Sequence, residues 1–162
     1  MQDKEGLDEA YSSPKGTFVA GDSLYISGTK SAADVLDDVS IPLGLTSKTA
    51  RYRDASLVLR RNPQVQRVVG HSLGGAVALE LQKQKPDLQS VTYGAPVAST
   101  KPGERYRHWG DPVAALDSGA QTTTPTQLNP HSYDTLAARI HKFAAGSWRD
   151  GYLRHGVAHY FR

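Results

Sequence analysis

The chain has no cysteine. That excludes a disulfide scaffold, a cysteine nucleophile and a cysteine-ligated zinc site. No apolar run approaches the ~18 residues of a transmembrane helix. There is no dense Lys/Arg block either. The net charge is only +3 and is spread along the chain, so no nucleic-acid partner is expected. Residues 1–9 are polar and acidic and lack the apolar stretch of a secretory leader, so no signal peptide is expected. Nothing in the sequence fixes a compartment. Internal repeats and interdomain linkers are absent. The 162 residues therefore read as one domain, and a hydrophobic content of 38% against 22% charged supports a packed core rather than disorder.

What is present is an alternation of strand-like and helix-like segments. Residues 1–14 read as a loose polar lead-in. Residues 17–20 and 23–27 read as two strands around a tight Gly21-Asp22 turn. A short helix is expected over 32–39, and a longer one over 47–61, stopped by Asn62-Pro63. Further strands are expected at 65–69, 90–93 and 105–109, with a helix after the first of these ending near Lys85-Pro86. Residues 121–130 read as a polar Thr/Pro/Gln loop, and 132–145 as a helix. The alternation predicts a mostly parallel α/β sheet with an N-terminal antiparallel hairpin and flanking helices.

One stretch carries chemistry. Gly70-His71-Ser72-Leu73-Gly74 fits G-x-S-x-G, a serine at a sharp turn from strand to helix. The turn crowds the positions two before and two after the serine, so both must be small, as Gly70 and Gly74 are. A β-branched run precedes it. After it, Leu73, Ala76, Val77 and Leu81 fall on one helical face. A serine hydroxyl needs a histidine base, and that histidine needs an acid to orient it. Asp111, after a strand and Gly110, and His131, after Asn129-Pro130, follow Ser72 in that order. Asp117 competes for the acid role, and His141, His155 and His159 for the base. His71 and His108, beside strands, read as structural. Backbone N–H donors for an oxyanion are expected from Leu73 and from the Gly28-Thr29 junction, where the Thr29 hydroxyl offers a further bond.

Together these segments resemble a compact class 3 lipase-like domain of the α/β-hydrolase superfamily. Ile26-Ser27-Gly28-Thr29-Lys30-Ser31, with Asp34, Asp37 and Asp38 after it, is similar to that family's R-G-T-x-S oxyanion strand followed by D-x-x-x-D. Gly70 to Gly75 resembles G-H-S-L-G-G. Thr92-Tyr93-Gly94-Ala95-Pro96 resembles T-[FY]-G-[SA]-P, and Asp111-Pro112-Val113 resembles the D-x-V acid loop. The resemblance spans residues 11–137. It implies Ser72 as nucleophile, Asp111 as acid and His131 as base, with Thr29 and Leu73 at the oxyanion. Ser27 stands where the family commonly has arginine, and the chain is short for the family. Its lid would fall between Ser31 and Leu45, where Ile41, Leu43 and Leu45 offer a lid or acyl-chain surface; loop packing is the competing reading.

The expectation is thus a serine ester hydrolase acting through an acyl-enzyme, with no metal or organic cofactor. Substrates implied by the resemblance are acylglycerols, phospholipids or smaller carboxylic esters, with peripheral contact to a lipid surface. Two alternatives stay open: acyl transfer or amide hydrolysis on the same triad, and a non-catalytic lipid- or particle-associated module.

Overall fold

The computed structural model describes residues 1–29, 46–97, 103–108, 117 and 119–123. A six-stranded sheet organises them, in the spatial order β1-β2-β3-β4-β5-β6. The strands are β1 (Thr17–Ala20), β2 (Ser23–Ile26), β3 (Arg67–His71), β4 (Gln89–Tyr93), β5 (Glu104–His108) and β6 (Gln121–Thr123). β1 pairs antiparallel with β2, and β2 to β6 run parallel. The expected mostly parallel α/β sheet with an N-terminal hairpin is what the chain forms. At the hairpin turn Gly21 takes φ 57°, open to a residue without Cβ.

Among the described residues three α-helices cover the sheet: α1 (Asp3–Ser12), α2 (Ala50–Arg61) and α3 (Leu73–Gln84). α2 and α3 seal one face. There Leu24, Ile26 and Val68 meet Ala55, Val77 and Leu81, all at most 2% exposed. α3 is buried along nearly its whole length, as an apolar helix with little polar face must be. α2 starts where the Thr49 hydroxyl accepts the Tyr52 N–H at 3.1 Å, and a single 3₁₀ turn, Thr46–Lys48, precedes it. The helix expected over 47–61 is therefore divided at that cap. Arg60 and Arg61 in its last turn suit the negative end of the helix dipole.

α1 covers the opposite face, and here the sequence reading is corrected. Residues 1–14 are not a loose lead-in: Asp3–Ser12 is a helix with Leu7 and Ala10 fully buried. Asp3, Leu7, Ala10 and Tyr11 share one helical face. Too few of them are aliphatic for a hydrophobic-periodicity test to register. Their partners are Tyr25, Val69, Val91 and Tyr93 of the sheet. The Glu5 carboxylate also accepts the Gln2 N–H at 3.2 Å, satisfying a donor at the helix start. A second correction falls on residues 121–130. Gln121–Thr123 is a strand, paired with β5 from Tyr106 to His108. Threonine is β-branched and suits a strand as well as a loop. The expected helices at 32–39 and 132–145 lie outside the described residues.

Among the described residues no helix is long and apolar enough to cross a membrane.

Candidate active site

In a parallel α/β sheet, binding groups gather beyond the carboxyl ends of the strands. Register brings three such ends together. Gly70 of β3 lies opposite Ile26 of β2 and Thr92 of β4, and His71 lies opposite Tyr93. The next residues of the three strands are Ser27-Gly28-Thr29, Ser72 and Gly94-Ala95-Pro96.

Ser72 sits at the junction of β3 and α3 with φ 54° and ψ −126°. Among the described residues it alone combines a side chain with a positive φ. Such a conformation is strained by about 1–3 kcal/mol and persists only where its surroundings enforce it. They do so here. The Ser72 N–H donates to the Tyr93 carbonyl at 3.0 Å, and the Ser72 carbonyl accepts from Gly75 N at 2.9 Å. An ordinary N-cap serine has extended backbone and accepts an N–H from the first turn. Ser72 has neither property: its side chain does not cap α3.

The glycines set how tightly the turn closes. A Cβ on Gly70 would lie 2.1 Å from the Gly74 carbonyl oxygen, and one on Gly74 would lie 2.1 Å from the Ile26 carbonyl oxygen. Both obstacles are backbone, so neither position accepts a larger residue without moving a strand or a helix. This is the demand read from the sequence at Gly70 and Gly74.

Gly28 lies directly against the serine. A Cβ there would stand 2.7 Å from Ser72 Cβ. The Gly28-Thr29 junction is therefore beside Ser72, where the sequence reading put an oxyanion donor. Leu73, the other expected donor, is the first residue of α3 and 8% exposed. Its N–H has no carbonyl one turn back within the helix, and the positive helix end favours negative charge there. Beside Leu73 opens a depression of about 370 Å³, bordered also by Pro14, Lys15, Thr49 and Arg51.

The Gly28 backbone is held from two sides by side chains. The Tyr11 hydroxyl accepts the Gly28 N–H at 3.1 Å and lies 2.5 Å from His71 Nδ1. Burial pushes the Tyr11 hydroxyl pKa up, so it keeps its proton. Donating that proton to Nδ1 suits the neutral imidazole with its own proton on Nε2. His71 is 1% exposed and tied to Tyr11. On the other side, Arg51 Nη2 donates to the Gly28 carbonyl at 3.2 Å, and Arg51 Nη1 donates to the Lys15 carbonyl. Sequence reasoning missed both contributors. Tyr11 lay in the supposed lead-in, and Arg51 carries no signal separating it from any helical surface arginine.

Asp117, the alternative acid, is 1% exposed and accepts from Arg105 Nε at 3.1 Å. Arg105 is itself 6% exposed on β5. The pair is a buried ion pair, each charge compensating the other. Asp111 and His131 lie outside the described residues, as do Ile41, Leu43 and Leu45, and His141, His155 and His159. Thus the structure brings together Ser72, Leu73, Gly70, Gly74 and the Gly28-Thr29 junction.

Chain topology and site define an α/β protein with a strained serine at a strand–helix turn. Comparison with protein-family models, with curated proteins and with solved structures finds no match to this chain.

Proposed function

We propose that the chain is a serine carboxylic ester hydrolase with an α/β-hydrolase fold, of the class 3 lipase-like kind its motifs resemble. The observation that carries this reading is the Ser72 backbone, φ 54° and ψ −126°, between two glycines that admit no Cβ. A purely structural turn has no need of that strain, because a glycine would relieve it. The strain presents the hydroxyl at the strand ends, and the helix N-terminus behind it favours a developing negative charge.

In this reading Ser72 Oγ attacks the ester carbonyl carbon while His131 takes its proton. Asp111 orients the imidazole and stabilises its charged form. The carbonyl oxygen, now negative, receives the N–H groups of Thr29 and Leu73. The C–O bond to the leaving alcohol breaks, and His131 returns the proton to that oxygen. Water, deprotonated by His131, then cleaves the acyl-enzyme and restores Ser72. Asp111 is favoured over Asp117 because Asp117 is buried against Arg105. Substrates are acylglycerols, phospholipids or smaller esters, met at a lipid surface or in solution.

The test is hydrolysis of p-nitrophenyl esters of short, medium and long acyl chains by wild type, Ser72→Ala, His131→Ala and Asp111→Ala. The expected outcome is turnover abolished by the serine and histidine changes and lowered by the aspartate change, typically by ~10³-fold or more for the serine. Undiminished turnover in Ser72→Ala overturns the reading. Activity that survives His131→Ala alone moves the base to His141, His155 or His159.

A further inference from the structure

We infer that Tyr11 and Arg51 are positioning residues that aim the Thr29 N–H at the oxyanion, an inference that rests on the hydrolase reading above. Two demands conflict at Gly28. This residue approaches Ser72 so closely that a Cβ would stand 2.7 Å from the serine's own. Only glycine fits. Glycine, however, is the residue whose backbone is least restrained, and a donor attached to it is poorly aimed unless something else holds it. Electrostatic stabilisation of an oxyanion depends on donors fixed before the charge forms.

The two peptide units that meet at Gly28 are each pinned by a side chain. The unit before it presents its N–H to Tyr11 Oη at 3.1 Å. Tyr11 in turn is tied at 2.5 Å to Nδ1 of His71, the residue directly before Ser72. The unit after it joins the Gly28 carbonyl to the Thr29 N–H. A trans peptide is planar, so these two groups point in opposite directions and move as one body. Arg51 Nη2 holds the carbonyl at 3.2 Å and thereby fixes the direction of the N–H. The guanidinium is anchored in its turn, since Nη1 donates to the Lys15 carbonyl. A cation on the carbonyl end also polarises the peptide and makes its N–H a stronger donor. Lysine cannot reproduce this, because it offers a point charge rather than a fork spanning two carbonyls.

The experiment uses the full chain as wild type, Arg51→Met, Arg51→Lys and Tyr11→Phe. Active sites are titrated with a fluorophosphonate, so that kcat is expressed per reactive serine. Affinity is then measured for an alkyl trifluoromethyl ketone, which adds to the serine and forms a tetrahedral oxyanion. Arg51→Met is expected to lower kcat per site by about 10- to 100-fold, somewhat less than deletion of a whole donor. Ketone affinity should fall in parallel, while KM for the ester changes less than about threefold. Arg51→Lys should fall between, and Tyr11→Phe should follow the same pattern. A merely structural role would lower the melting temperature and the titratable fraction, and leave per-site kcat and ketone affinity alone. That result, within about twofold of wild type for the Arg51 variants, overturns the inference. Should Arg51→Met fail to fold, Arg51→Lys decides by the same two readouts. If wild type itself takes no fluorophosphonate, the hydrolase reading falls and this inference falls with it; labelled wild type with unaffected variants removes this inference alone.

Discussion

On the α2/α3 face the sheet is closed by aliphatic side chains and glycines. On the α1 face it is closed by tyrosines, an arginine and a histidine joined by hydrogen bonds. The core of the first face is packed without direction: Val68, Val77 and Leu81 fill space, and Gly70 and Gly74 decide how near α3 can come. The second is directional. Asp3 of α1 receives both terminal nitrogens of Arg67, at 2.6 and 2.7 Å, and the Tyr93 hydroxyl at 2.9 Å. Tyr11 links His71 to Gly28 on the same side. Dispersion and hydrophobic burial set distances, whereas hydrogen bonds set orientations. The candidate site needs both: the glycines of one face set its closeness, and hydrogen bonds from Tyr11 on α1 and Arg51 on α2 set its alignment.

The sharpest break of the glycine face is Gly74→Ala. Its Cβ would meet the Ile26 carbonyl oxygen at 2.1 Å, and that oxygen belongs to a paired strand. Destabilisation of at least about 3 kcal/mol is expected in urea unfolding. A cost below about 1 kcal/mol would mean the turn closes for some other reason.

Asp3→Ala tests the polar face. It leaves Arg67 and the Tyr93 hydroxyl without their shared acceptor, and about 2 kcal/mol is expected by the same measurement. The Asp3 carboxylate raises the Arg67 pKa chiefly by hydrogen bonding, so the charge it removes is a compensating one.

A smaller effect separates strain from packing at the site itself. Ser72→Gly and Ser72→Ala both remove the hydroxyl, but only glycine relaxes at φ 54°. Ser72→Gly is expected to be the more stable by about 1 kcal/mol. Equal midpoints would show that the turn is not strained.

The smallest effect is alkaline. Burial, first of all, raises the hydroxyl pKa of Tyr11 and of Tyr93, and for Tyr93 the nearby Asp3 charge adds to it. These groups stay protonated in the folded chain and ionise in the unfolded chain from the ordinary tyrosine value near 10. Their contribution is therefore complete below about pH 10 and is lost as pH rises above it. By pH 10 the loss is about 0.4 kcal/mol per tyrosine. Thermal unfolding from pH 8 to 10 should show a falling midpoint, flatter in Tyr11→Phe.

The same division explains what could be read from the sequence. Aliphatic and glycine patterns are local, so β2, β3, α3 and β4 were legible, as were Gly70, Ser72 and Gly74. The α1 face was not. Its helix buries Leu7 and Ala10 but relies on Asp3 and Tyr11, whose partners lie far along the chain. A polar residue's meaning depends on what it meets, and no period announces that. Arg51 is the extreme case, an arginine on a helix whose role is set entirely by the carbonyls of Lys15 and Gly28. β6 was hidden for a different reason, since its Gln-Thr-Thr stretch suits strand and loop alike.

The most direct test of the central claim is labelling of the purified chain by a fluorophosphonate, with the modified residue located by mass spectrometry in wild type and in Ser72→Ala. Stoichiometric modification at Ser72, and none in Ser72→Ala, is the expected result. Absence of modification in folded wild type, or equal modification of Ser72→Ala, would contradict an activated serine at this turn.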